Sequence, residues 1–298
     1  MKKNKFVIFC FVFPSAVALL LTYLYPVCRT LAMSLFQMDS VTANVSTWRF
    51  VGFENFAGLF GSKVFRRALL NVLKIWLVGG VITLSLSLLF AVILTSGIRF
   101  KKFFRAAIYL PNIISAVALS TMWIQYVYNR DFGLLNQIIG LFGGKAVKWL
   151  GADMKFWSML AAFIFGAVGY YMLIFISGIE QIPHDLYEAA TIDGAGKVEQ
   201  FKSITMPLLK KIVKTSITFW TINAAGFFLW TKMFSPISSE TSTIVPVSYL
   251  YDIVFGVANS NTPGDPAAGA AIGVLLALVI LGTYLIMNRV FKDEELEF

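Results

Sequence analysis

Residues 188 to 207 read Glu188-Ala-Ala-Thr-Ile-Asp193-Gly194-Ala-Gly-Lys197-Val-Glu-Gln-Phe201-Lys-Ser-Ile204-Thr-Met-Pro207, and they lie between two long apolar runs. Local signals predict structure in this polar stretch. Pro183 suits the first turn of a helix, because its missing N–H is an orphan there in any case. Asp185, Glu188, Ala189 and Ala190 continue that helix. Asp193-Gly194 ends it, since glycine accepts left-handed backbone angles. A second short helix is expected over 197–205, and Pro207 should open the next apolar run. Tyr187, Ala190, Phe201 and Ile204 give the pair one apolar side, with Phe201 and Ile204 three apart on a common face. Such a side calls for packing against the chain's own helices or against a partner.

The remainder of the chain is built for lipid. Of 298 residues, 58% are hydrophobic and 14% charged, whereas soluble domains carry about 25% charged residues. The net charge of +9 comes from basic residues flanking apolar runs. That placement fits membrane orientation better than nucleic-acid binding, which would need a basic stripe with stacking aromatics. A bilayer core of about 30 Å takes roughly 20 apolar residues in helix. Six segments qualify: 6–36, 68–95, 106–128, 156–179, 208–230 and 268–290. The expected fold is therefore all-α and integral to the membrane, a single six-span domain over 1–298 with a loop at 180–207. The run 6–36 follows a basic start but is far longer than a signal-peptide core, so it reads as a retained span. Cys10 and Cys28 would be roughly 27 Å apart on one helix, too far for a disulfide.

The loops orient the chain. With the first residues inside, fourteen Lys and Arg fall on inner segments and ten on outer ones, Lys74 lying within a span. Arg99, Lys101, Lys102 and Arg105 crowd one short inner loop. Both termini and the loop 180–207 are then cytoplasmic. The outer loop 37–67 holds Trp48, Phe50, Phe53 and Phe56, suited to an interface. The outer loop 231–267 contains Pro236, Pro246, Pro263 and Pro266 and is too long for a plain connector.

The spacing Glu188-Ala189-Ala190, Gly194, then Ile204-Thr205-Met206-Pro207 resembles the signature of the permease subunits of binding-protein-dependent ABC importers, with Met206 where the family has Leu. The resemblance implies a type I importer permease fold in a bacterial plasma membrane. It implies that the loop is a coupling helix seated on a cytoplasmic ATPase through Tyr187, Glu188, Ala189, Ala190, Asp193 and Gly194. It also implies a second homologous permease paired with this chain as a heterodimer, two ATPase subunits that bind ATP and Mg, and an external solute-binding protein. Tyr25-Pro26, the stretch Phe50 to Phe56, Tyr109-Leu-Pro-Asn112 and Ile182 to Ala195 look like the carbohydrate permeases of maltose and glycerol-phosphate type. This likeness runs from Phe6 to Asn223 and weakens after Trp230, at Ser235 to Glu240.

Polar and aromatic residues inside the spans are candidates for the substrate path. Asn223 and Tyr171 lead, followed by Tyr170, Asn112 and Trp220; the alternative for each is helix–helix packing or hydrogen bonding. Lys74 should snorkel to the outer interface. No Walker A motif is present, since Gly196-Lys197 is followed by Val198 and position 191 is Thr. His184 is the only histidine, which leaves no His-based metal cluster or catalytic triad. The spans lack the carboxylates a secondary transporter would use for ion coupling. The nearest alternative is an ABC importer for a solute other than a sugar.

Overall fold

The computed structural model describes residues 2–237, 240–256 and 264–291, with side chains from Val7 onward. Ser238, Ser239, Pro263 and Lys292, and the side chains of Lys2, Lys3 and Lys5, lie outside the described residues. Among the described residues the regular structure is helical, apart from one short ribbon. The helices used below are α1 (Val7–Met33), α2 (Lys63–Thr95), α3 (Lys101–Ile113), α4 (Ala116–Val127), α5 (Lys155–Ile179), α6 (His184–Ile192), α7 (Lys210–Ala225), α8 (Leu229–Phe234) and α9 (Pro266–Val290).

Four of these, α1, α2, α5 and α9, are long and apolar enough to cross a membrane. The expected span 106–128 is divided instead. Pro111 removes one helical donor, Ile114 is extended, and Ser115 caps a new helix by accepting from the Ala118 amide at 3.2 Å. The two arms, α3 and α4, meet at 99° and together make a fifth candidate. The expected span 208–230 is also divided. α7 ends at Gly226 after 16 residues, about 24 Å of helix against a core of about 30 Å, and α8 follows. Pro183 lies just before its helix, in the N-cap position, rather than in the first turn.

Contacts divide the chain into two compact units. The first comprises the residues up to Arg66 with Tyr249–Leu278. There Phe36–Gln37 pairs antiparallel with Arg49–Phe50. Asn55 fixes the ribbon by donating to the carbonyls of Ser34 and Phe36 at 2.9 and 3.0 Å. α1 buries none of its apolar window; only lipid or another protein satisfies such a helix. Cys10 and Cys28 on it are free.

The second unit comprises Arg67–Ser248 with the residues from Val279. Its centre is α5, packed along α2 and against α3. Ser87 donates to the Val168 carbonyl at 2.8 Å across the first of these interfaces. The segment 240–245 is tied to α2 through Asn71, a buried amide that donates to the carbonyls of Thr241, Ser242 and Ile244. Lys155, at the start of α5, holds Glu240 at 2.6 and 2.8 Å. Lys74 rests with its ammonium 5.7 Å from the centre of the Phe156 ring, an attraction between cation and ring face.

Candidate functional site

Two features of the second unit bring the predicted residues together. The first is a cavity of about 400 Å³ bounded by α3, α4, α5, α7 and α8. The break between α3 and α4 opens it, placing Pro111, Asn112 and Ile114 on its wall. α5 contributes Tyr170 and Tyr171, and α7 contributes Asn223. Four of the five predicted path residues therefore share one cavity. Asn223 donates to the Tyr171 hydroxyl at 3.2 Å and to the Phe219 carbonyl at 3.0 Å. Asn112 donates to the Gly166 carbonyl at 3.3 Å. The two tyrosine rings meet edge to face at 5.1 Å, with Tyr170 36% exposed and Tyr171 only 1%.

Trp220 is not on the wall. It is 1% exposed, and its indole donates to the Trp76 carbonyl at 2.8 Å while the Trp76 indole donates to the Thr221 hydroxyl at 2.8 Å. A Cβ on Gly80 would stand 2.9 Å from Trp220 Cδ1, so the absence of a side chain there is what admits the indole. Trp220 is thus packed in the core behind Tyr171, whose ring lies 5.9 Å away. Phe163 and Trp230 do line the cavity, although the sequence did not single them out. Aromatic residues are too numerous in this chain for composition to separate wall from core. The break itself was not read, although Pro111 followed by a Ser115 suited to capping was the signal that could have found it.

The second feature is the loop between α5 and α7. α6 ends in a Schellman turn. The Ala195 amide donates to the Ala190 carbonyl at 2.8 Å and the Gly194 amide to Thr191 at 3.1 Å, with Gly194 at φ +83°. Beyond it, helix resumes at Lys197 and continues through a wider turn at Phe201–Thr205. The two arms are cross-linked by polar side chains. The hydroxyls of Tyr187 and Thr205 are 2.9 Å apart, and Gln200 donates to Thr191 Oγ1 at 2.9 Å.

These contacts divide the six predicted loop residues by face. Tyr187 and Ala190 turn inward, half-buried, as do Phe201 and Ile204. Glu188, Ala189, Asp193 and Gly194 are exposed. Asp185, Glu188, Ala189 and Ile192 form one exposed stripe at helical spacing. Ile192 is 87% exposed and Val198, across the turn, 68%. His184 Nδ1 lies 3.1 Å from Glu188 Oε1.

The family model for the binding-protein-dependent transport system inner membrane component matches residues 6–293. The chain belongs to this family. As an inner-membrane component it is a multi-pass membrane protein and a transport subunit. Among curated relatives, the probable ABC transporter permease protein YurN of Bacillus subtilis is 29% identical over 97% of both chains. The diacetylchitobiose uptake system permease protein NgcF of Streptomyces coelicolor is 32% identical over 78% of this chain and 68% of its own. The trehalose/maltose transport system permease protein MalF of Thermococcus litoralis is 28% identical, covering 82% and 81%. Among solved structures, a bacterial ABC transporter that imports the acidic polysaccharide alginate superposes with a TM-score of 0.81 at 19% identity, over 98% of this inner-membrane component and 97% of that chain. The shared fold is that of an importer permease.

Proposed function

We propose that this chain forms half of the translocation path of an ABC importer for a sugar or oligosaccharide. The observation that carries the reading is the connection between the two features. The exposed-stripe loop directly joins α5 and α7, the helices that present Tyr171 and Asn223 to the cavity. A force applied at α6 therefore reaches both walls through a short, cross-linked segment. The occupant of the stripe is one of two cytoplasmic ATPase subunits, which bind ATP and Mg. A second homologous permease completes the path as a heterodimer, and an external binding protein delivers the cargo. Both termini then face the cytoplasm, with six spans in one permease domain and the shortened α7 serving as the fifth. The sugar assignment draws on the curated relatives, several of which are named for oligosaccharides. It also draws on a wall of amides, phenols and aromatic faces, the groups that bind hydroxyl-rich rings.

The test uses the assembled importer in proteoliposomes. Glu188→Lys, which reverses charge in the stripe, should abolish ATPase stimulation by the loaded binding protein and abolish uptake, while the binding protein still binds its sugar. Full uptake by this variant would show that the stripe is not the coupling surface.

A further inference from the structure

None of the twelve residues that line the cavity is Asp, Glu, His, Lys or Arg. Its polar surface consists of neutral groups, the amides of Asn112 and Asn223 and the phenols of Tyr170 and Tyr171. No basic group of the surrounding helices is part of the lining. Arg105 on α3 pairs with Glu180 at 3.4 Å. Lys155 at the head of α5 pairs with Glu240. Lys74 lies over Phe156. On α7, Lys214 precedes Asn223 by about 13 Å of helix, and Lys232 on α8 is not part of the lining.

This arrangement treats two kinds of sugar differently. A hydroxyl entering the cavity exchanges water for neutral partners. Asn223 has committed its amide protons to Tyr171 and Phe219, which leaves its carbonyl oxygen as an acceptor. Tyr171, accepting from Asn223, still has a proton to donate. A carboxylate or sulfonate entering the same space loses water and meets no counter-charge, which is far more costly than burying a paired hydroxyl. We infer that the wall supplied by this chain selects an uncharged saccharide and rejects acidic ones. The inference rests on the sugar reading above. It separates this chain from its solved structural neighbour, whose cargo is an acidic polysaccharide.

The test is saturation-transfer NMR on the full chain in phosphatidylcholine nanodiscs at pH 7. The neutral probes are maltotriose, xylotriose, arabinotriose and diacetylchitobiose; the acidic probe is trigalacturonate. At least one neutral probe should bind, with trigalacturonate weaker by about a hundredfold or more. Ile114, on the wall and 41% exposed, provides a gain-of-function variant. Ile114→Lys should tighten trigalacturonate by at least about tenfold, a gain that no merely structural defect would give. Wild-type binding of trigalacturonate equal to or tighter than every neutral probe overturns the inference and leaves the sugar reading standing. Failure of Ile114→Lys to gain affinity also overturns it. Binding of no probe at all overturns the sugar reading and the inference together.

Discussion

Gly194→Ala isolates the backbone contribution to the loop's shape. Gly194 sits at φ +83°, and a Cβ there would meet nothing within 4 Å. Steric clash with the surroundings therefore contributes nothing, and the whole effect is the intrinsic cost of a left-handed L-residue, about 1–2 kcal/mol. At 1.4 kcal/mol per tenfold, the turn should open roughly 5- to 30-fold more often. The amides to watch are those of Gly194 and Ala195, which close the turn on Thr191 and Ala190. Native-state hydrogen exchange of the chain in nanodiscs should show both accelerating by that factor. Gly196→Ala is the control. Gly196 has ordinary angles, φ −74° and ψ 168°, and equally open space around it, so its replacement should leave both amides unchanged or slightly slower. Gly194→Asn should fall between the two, because asparagine tolerates this region. Unchanged exchange in Gly194→Ala, or an equal change in Gly196→Ala, would refute the assignment of the turn to the left-handed glycine.

Three further outcomes follow from packing and hydrogen bonding. Asn71→Ala orphans three carbonyls in 241–244 and should cost about 1–3 kcal/mol; limited proteolysis should show new cleavage within that segment. Gly80→Val drives a side chain into Trp220, whose Cδ1 is 2.9 Å from the Cβ position. Overpacking of this kind costs about 1–3 kcal/mol and should lower the thermal midpoint in nanodiscs, whereas Gly61→Ala, with nothing nearby, should not. Tyr171→Phe removes the hydroxyl that accepts from Asn223 at about 1 kcal/mol while keeping the ring contacts, so the fold should persist and uptake by the assembled importer should fall.

The long apolar helices were legible because lipid selects for a single property over some 20 consecutive residues, which composition reports directly. α1, α2, α5 and α9 lie close to the expected segments. The loop was legible for a different reason. Asp193-Gly194 is a local stop whose energetics need no knowledge of distant residues, and the turn forms there. The divided segments were not read, because hydropathy cannot distinguish an apolar run that continues from one that bends by 99° after Pro111 or ends at Gly226. The cavity was half legible. Asn112, Asn223 and the two tyrosines stood out as polar groups in apolar surroundings, and the structure brings them together. Trp220 looked alike in sequence but belongs to the core, and that difference depends on Gly79 and Gly80 of another helix. Asn71, which organises 241–244 from some 170 residues away, is a long-range fact that no local pattern encodes.

The hydrogen bonds that shape the loop use backbone groups, with Tyr187, Thr191, Gln200 and Thr205 as the contributing side chains. The side chains of Asp185, Ala189 and Ile192, on the exposed stripe, contribute none of them. Shape and surface chemistry are therefore written in separate residues. The stripe can be exchanged for another of different charge or bulk without refolding the loop, so a change of energy-supplying partner requires only a handful of substitutions on a frame that stays constant.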